Sequence, residues 1–334
     1  MTARDVHLPV AAQPTVDSIV DYTQRAEAGG YDCAWLPETW GRDGVTVLTA
    51  MAERTDSIDI GSSILNTYSR SPALLGQTAA TLQELSEGRF RLGLGPSGPV
   101  VIENWHGMAY GNPLKRTRET VDIVRQVLSG EPVDYDGDEF DLSGFRLRCT
   151  PPEPTPPIEV TGMGPKAVEL AGRFADGWHG IMLTPDGVRD RLEDIERGAE
   201  LGERDPEDVQ VTTGVTCCVL DDTDRARELA RQHVAFYVGG MGTFYRDALE
   251  RQGYDEAVAI HDAWQAGDRE RALECLGDDL LDDLCAVGDA ESARESLERY
   301  EAVDGIDAIA VSFPRGATEA EVRQTMDAVA PDSD

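Results

Sequence analysis

Short apolar runs alternate along this chain with longer stretches in which apolar positions recur every three or four residues. The short runs fall at Val6–Ala12, Cys33–Pro37, Ile58–Leu65, Phe90–Gly95, Ile158–Gly162, Gly177–Leu183, Val209–Leu220 and Ile306–Phe313. A helical pattern follows each one. Thr15–Ala28 sets Val16, Ile19, Val20 and Thr23 on one face and stops at Gly29-Gly30; Pro72–Glu87 stops at Gly88. Pro113–Leu128 opens on proline and ends before Gly130, and Pro165–Phe174 and Asp186–Leu201 follow the fifth and sixth runs. This rhythm predicts parallel strands whose C-terminal ends share one site. Eight such units predict a single (β/α)8 TIM barrel, α/β in class, because a parallel sheet needs both faces covered.

Two stretches break the period. Pro132–Arg148 alternates around Asp136-Gly137 and reads as a β-hairpin, returned to the fifth strand by the stiff Pro151–Pro157 (together an insertion over 132–157). Val234–Gly288 is mostly helical and reads as an excursion before the eighth strand. Both belong to one barrel domain over residues 1–334.

Charge changes the picture more than composition does. Acidic residues number 63 against 30 basic ones, and Lys115 and Lys166 are the only lysines, for a formal charge of −33. Such a surface repels nucleic acid and anionic membranes, since binding either requires basic groups to neutralise phosphates. The acid is spread over the chain, which argues for salt adaptation of haloarchaeal type over a disordered tail. The start of the chain has no apolar leader segment, and no apolar run approaches the ~20 residues of a membrane span, so a cytoplasmic protein is expected. Cys33, Cys149, Cys217, Cys218, Cys275 and Cys285 lack zinc spacing and C-x-x-C pairing, and read as buried free thiols of a reducing compartment. No metal site is expected: the five histidines are scattered and H-E-x-x-H is absent.

In a barrel of this kind, chemistry sits on the loops that follow the strands. The first offers Gln13 and Pro14, the second Glu38, Thr39, Trp40 and Arg42, and the third Asn66, Tyr68, Ser69 and Arg70. The fourth carries Gly95-Pro96-Ser97-Gly98-Pro99, then Glu103, Trp105 and His106; the eighth is Ser312–Gly316. The fifth loop, Gly162-Met163-Gly164-Pro165-Lys166, is a glycine-rich turn entering a helix. Its backbone amides meet the positive end of the helix dipole, and Lys166 adds a point charge, so it is a candidate phosphate site. His179 and His7 lie in predicted strands and read as satisfied core histidines, as does His233; His261 reads as exposed on a helix.

The segment G-x-G-P-K followed by AVELAGRFADGW, with LQELSEGRFRLGLGPSGPVVIENWHG and PLKRTRETVDIVRQVLSGEPVDYDG, resembles the luciferase-like superfamily. The similarity is to its coenzyme F420 branch, which includes methylenetetrahydromethanopterin reductase and the deazaflavin type of glucose-6-phosphate dehydrogenase. The resemblance covers roughly residues 5–200 well. It implies a deazaflavin at the C-terminal mouth, backed by a nonproline cis peptide at Ser63–Ile64. It further implies cofactor contacts from Glu38, Ser63, Ile64, Asn66, Gly95, Ser97, Gly162, Met163, Gly164 and Lys166. The chain departs from the pattern at Thr39, often histidine in relatives, and at Pro96, where the glucose-6-phosphate enzyme has a glutamate acid/base. Glu38, Thr39, Glu103 and His106 are therefore the catalytic candidates.

The expected function is hydride transfer between coenzyme F420 and an unidentified small organic substrate, by a homodimer or larger homo-oligomer. One alternative keeps the barrel as an FMN-dependent monooxygenase. Others are a non-catalytic barrel that binds a flavin or deazaflavin, and a sugar-phosphate enzyme without a redox cofactor.

Overall fold

The computed structural model describes residues 2–10, 13 and 15–331. Its first half runs β1 (Ala3–His7), α1 (Val16–Ala28), β2 (Cys33–Leu36), α2 (Gly44–Ala52), β3 (Asp59–Ser62), β4 (Leu65–Asn66), α3 (Pro72–Leu85), β5 (Phe90–Gly95), a π-helical turn (Val101–Trp105) and α4 (Pro113–Leu128). Then come β6 (Val133–Asp136), β7 (Asp141–Phe145), β8 (Ile158–Thr161), α5 (Pro165–Phe174), β9 (Gly177–Ile181), α6 (Pro185–Leu201) and β10 (Gln210–Val219). The last part is α7 (Thr223–Gly240), α8 (Phe244–Arg251), α9 (Glu256–Gln265), α10 (Arg269–Cys275), α11 (Asp278–Leu284), β11 (Cys285–Gly288), α12 (Ala290–Glu301), β12 (Ala308–Ser312) and α13 (Glu319–Ala328).

Among the described residues, eight parallel strands close in the order β1, β2, β3, β5, β8, β9, β10, β12 and back to β1. This is the TIM barrel expected from the β/α rhythm. Local chemistry starts its helices where the chain leaves a strand. Asp43, Ser71, Asn112, Thr184 and Asp222 each accept a backbone N–H in the first turn of the helix they precede, and Thr15 and Thr318 form capping boxes with Ser18 and Glu321. Each such cap is worth about 1 kcal/mol. The hairpin β6–β7 stands off the barrel over α4, where Glu119 accepts the N–H groups of Asp138, Glu139 and Phe140.

The structure corrects several expected boundaries. The first strand is Ala3–His7 and not Val6–Ala12; Ala11, Ala12 and Pro14 lie outside the described residues. Polar Asp5 conceals this strand because its side chain is buried, and Pro9 has no N–H for a ladder. The third run divides into β3 and β4 around a cis peptide at Ser63–Ile64. The end of the helical excursion, Cys285–Gly288, is a strand: β10 is long enough to leave β9 and β12 and pair its Thr216–Val219 with β11. Residues 101–105 of the fourth loop form the π-helical turn.

The barrel interior is polar in its middle. Asp5, Arg91 and Glu159 are buried together with Trp35 and His179, and half-buried His7 lies beside them. The Trp35 indole donates to Asp5 Oδ2 (2.8 Å), Arg91 Nε donates to Glu159 Oε1 (2.7 Å), and the Arg91 guanidinium lies 5.0 Å from the Trp35 ring centre. His7 and His179 stack at 4.7 Å. Burial holds the His7 imidazole neutral, down to about 4, and lowers His179 well below its ordinary range. Contrary to expectation, neither is satisfied, since Nε2 of both lacks a hydrogen-bond partner. His233 is satisfied, accepting the Arg315 N–H at 3.0 Å. His261 is buried rather than exposed, its Nδ1 3.0 Å from the Val238 carbonyl oxygen, because α9 packs against α7. All six cysteines are free; four are buried, while Cys149 is exposed and Cys275 half-buried.

Candidate active site

At the C-terminal mouth, the loops after β2, β3 and β5 enclose a cleft of about 290 Å³ lined by Glu38, Thr39, Gly41, Arg42, Asp43, Ser69, Arg70, Trp105 and His106. Its floor is an ion-pair fork. Arg70 donates from Nη1 to Glu38 Oε2 (2.7 Å) and from Nη2 to Glu38 Oε1 (2.8 Å) and Asp43 Oδ1 (2.5 Å). Glu38 Oε1 also accepts the Gly44 N–H at 2.7 Å, at the positive end of α2. The hydrogen bonds it donates to Glu38 hold the Arg70 guanidinium above its ordinary range despite burial. Burial pushes the Asp43 carboxyl up, but hydrogen bonds from Thr46 and the charge of Arg70 leave it below its usual value. Both carboxyl oxygens of Glu38 are thus engaged, a geometry suited to fixing two loops.

The neighbouring loops are built to hold this fork. Asn66 Oδ1 accepts the N–H groups of Tyr68 (3.0 Å) and Ser69 (2.7 Å), turning the chain so that Arg70 faces Glu38. Tyr68 stacks on Tyr110 and donates to its carbonyl (2.5 Å), while Tyr110 donates to the Ser97 carbonyl (2.9 Å), where Ser97 has φ of 58°. Arg116 lies over Tyr68 and donates to the Thr67 carbonyl at 2.9 Å. Below the mouth, Ser62 Oγ and the Gly93 backbone exchange hydrogen bonds, and a Cβ on Gly93 would lie 1.9 Å from the Ser62 carbonyl oxygen. Only glycine permits that approach of β3 to β5.

Three buried polar atoms on these mouth loops lack partners: Gln13 Oε1, Thr67 Oγ1 and His106 Nε2. On the far side, α5 begins at Gly164 with no side chain capping its amides. A polar ligand with hydrogen-bonding edges and an anionic tail fits this donor and acceptor set.

A protein-family model described as luciferase-like monooxygenase matches residues 2–305. The chain belongs to the luciferase-like monooxygenase family. Among curated members of related sequence, a Mycobacterium tuberculosis protein provisionally assigned as a coenzyme F420-dependent oxidoreductase is 34% identical over 83% of this chain and 85% of its own length. A 5,10-methylenetetrahydromethanopterin reductase of Archaeoglobus fulgidus is 30% identical over 88% of this chain and 89% of its own. The fold is shared with the coenzyme F420-dependent tetrahydromethanopterin reductase of Methanopyrus kandleri, at a TM-score of 0.85 and 24% identity, covering 99% of this chain and 97% of that one.

Against this luciferase-like frame, Glu38, Thr39 and His106 converge on the cleft, while Glu103 is exposed on the π-helical turn and does not line it. Ser63–Ile64 has the cis peptide expected from the family resemblance. Gly95 faces Thr161 so closely that a Cβ would lie 2.3 Å from its Oγ1. Gly162 accepts the Trp178 indole N–H at 2.9 Å, and Met163 lines a separate cavity of only about 10 Å³ with Leu183 and Gly187. Lys166 is 75% exposed and paired with Glu169 at 2.7 Å on the same helix. Sequence reasoning misses Asp43 and places Arg70 only on a loop. The available signal for Asp43 was its place three residues before Thr46 at a helix start; nothing local marks the reach of Arg70 back to Glu38.

Proposed function

We propose that this protein binds coenzyme F420 at the C-terminal mouth of its barrel and transfers hydride between that cofactor and a small organic substrate. The observation that carries the reading is the 34% identity, over 83% of the chain, to a relative assigned as a coenzyme F420-dependent oxidoreductase. The site supports it with unpartnered polar atoms on three loops and uncapped amides at α5. When bound, the deazaflavin supplies a hydride donor or acceptor at its C5. Ser63, Ile64, Asn66, Gly95 and Ser97 would frame the ring, and the 162–166 turn would take the phosphate. Glu38, forked by Arg70, would orient the loops after β2 and β3. His106 and Thr39 line the cleft, and an imidazole there can give or take the proton that accompanies hydride transfer.

The same reading implies a cytoplasmic enzyme that works as a homodimer. Among the described residues, no helix is long and apolar enough to cross a membrane. The family description also supports a second reading, an FMN-dependent monooxygenase. Competitive fluorescence titration with coenzyme F420 and FMN in molar potassium chloride separates the two. Preference for the deazaflavin is expected; preference for FMN would transfer the reading to oxygen chemistry.

A further inference from the structure

Among the described residues, eight large apolar side chains are exposed, and four of them (Trp40, Val100, Trp105 and Met108) belong to two of the three loops that border the cleft. Trp105 lines the cleft itself and is 64% exposed; Trp40 sits between the lining residues Thr39 and Gly41 and is 52% exposed. Val100 and Met108 flank the π-helical turn that presents Trp105. In a chain with 28% charged residues, this concentration of bare apolar surface around one opening marks a contact surface.

Three of the charges inside the opening are already spent on one another. Arg70 is shared between Glu38 and Asp43, and Glu38 is further bonded to the Gly44 amide. Arg42 also has an interaction partner. Both lysines of the chain are paired, Lys166 with Glu169 and Lys115 with Asp138. An anionic substrate entering the cleft would lose hydration without gaining an unpaired cation, whereas an apolar one would lose only unfavourable contact with water.

We infer that the cleft takes an uncharged substrate with a planar apolar body, held between the indoles of Trp105 and Trp40, with its polar group toward Thr39 and His106. This deepens the proposed function and rests on it, for it places the reacting partner of the cofactor in this cleft. Sugar phosphates and other anions are poor substrates on this geometry, and the indole pair sets specificity by shape and apolar area.

The test is isothermal titration calorimetry in molar potassium chloride, with the protein saturated with coenzyme F420, using 2-naphthol, 2-naphthoate and glucose 6-phosphate as probes. The two naphthalenes share one apolar body and differ in charge. 2-Naphthol is expected to bind at least about tenfold tighter than 2-naphthoate, because the cleft has no free cation to compensate a buried carboxylate. Trp105→Ala and Trp40→Ala, both at exposed positions, are each expected to weaken 2-naphthol about three- to tenfold with unchanged circular dichroism. Equal or tighter binding of 2-naphthoate or glucose 6-phosphate overturns the inference. So does unchanged 2-naphthol affinity in both variants. A dimer that falls to half its mass in the tryptophan variants would show that a second copy covers the rim, and also overturns it. If coenzyme F420 itself does not bind, the proposed function fails, and the same titrations on the protein alone still judge the cleft.

Discussion

Replacing Arg91 by methionine probes the charge balance inside the barrel. Arg91 is the cation packed against Glu159 and Asp5, with Glu159 Oε1 2.7 Å from its Nε and 2.6 Å from its Nη2. Burial works against the guanidinium, but Glu159 more than compensates and holds its affinity for the proton above the ordinary range. Burial likewise raises the Glu159 carboxyl, with Arg91 opposing. At about 4 Å and an effective dielectric of about 20, such a pair attracts by about 4 kcal/mol. Removing one partner of a buried pair costs about 3–5 kcal/mol, because the remaining charge is left uncompensated. Methionine fills comparable space, so the cost is electrostatic and not that of a cavity. With urea slopes near 3 kcal/mol/M, the midpoint should fall by about 1–2 M. The assay is urea unfolding at pH 7 in constant molar potassium chloride, with circular dichroism as the signal. Arg91→Met with Glu159→Gln should recover most of the loss, since the double variant removes both charges. A single variant that loses less than about 1 kcal/mol, or a double variant as unstable as the single, refutes the reasoning.

Asp5 makes the pH dependence of stability testable. Burial raises its carboxyl to about 7, against partial relief from Arg91 and the Trp35 hydrogen bond. The folded state therefore keeps a proton that the unfolded chain releases near pH 4, and stability from this group falls as pH rises from about 4 to about 7. Asp5→Asn, which can still accept the Trp35 indole N–H, should gain stability relative to the parent over that window in urea melts; a pH-independent difference would count against it. Lys166→Ala should weaken coenzyme F420 about two- to fivefold in fluorescence titration, the size of one charge at a helix start, and an unchanged Kd removes Lys166 from the phosphate site. Dialysis from molar potassium chloride to low salt should lower Tm, because a charge of −33 repels itself once screening is lost; an unchanged melting curve contradicts salt adaptation.

Alternation of short apolar runs with helical faces determined the barrel, because strand and helix periodicity are local properties that need no knowledge of neighbours. The helix starts at Pro113 and Pro165 and the strand Phe90–Gly95 are legible for that reason. Polar residues inside the barrel defeat the same logic. Asp5, Arg91 and Glu159 look solvent-facing in sequence, and only closure of the sheet reveals that they compensate one another across 68 or more positions. The strand Cys285–Gly288 is too short to declare itself until the end of β10 offers it a ladder. Loop membership of Glu38, Arg70 and His106 follows from strand order, but their roles do not. The Glu38 side chain is fixed in place because Arg70, 32 positions away, is brought to within 2.8 Å of it. The side-chain chemistry of this cleft is a long-range contact, and a chain specifies such contacts only by folding.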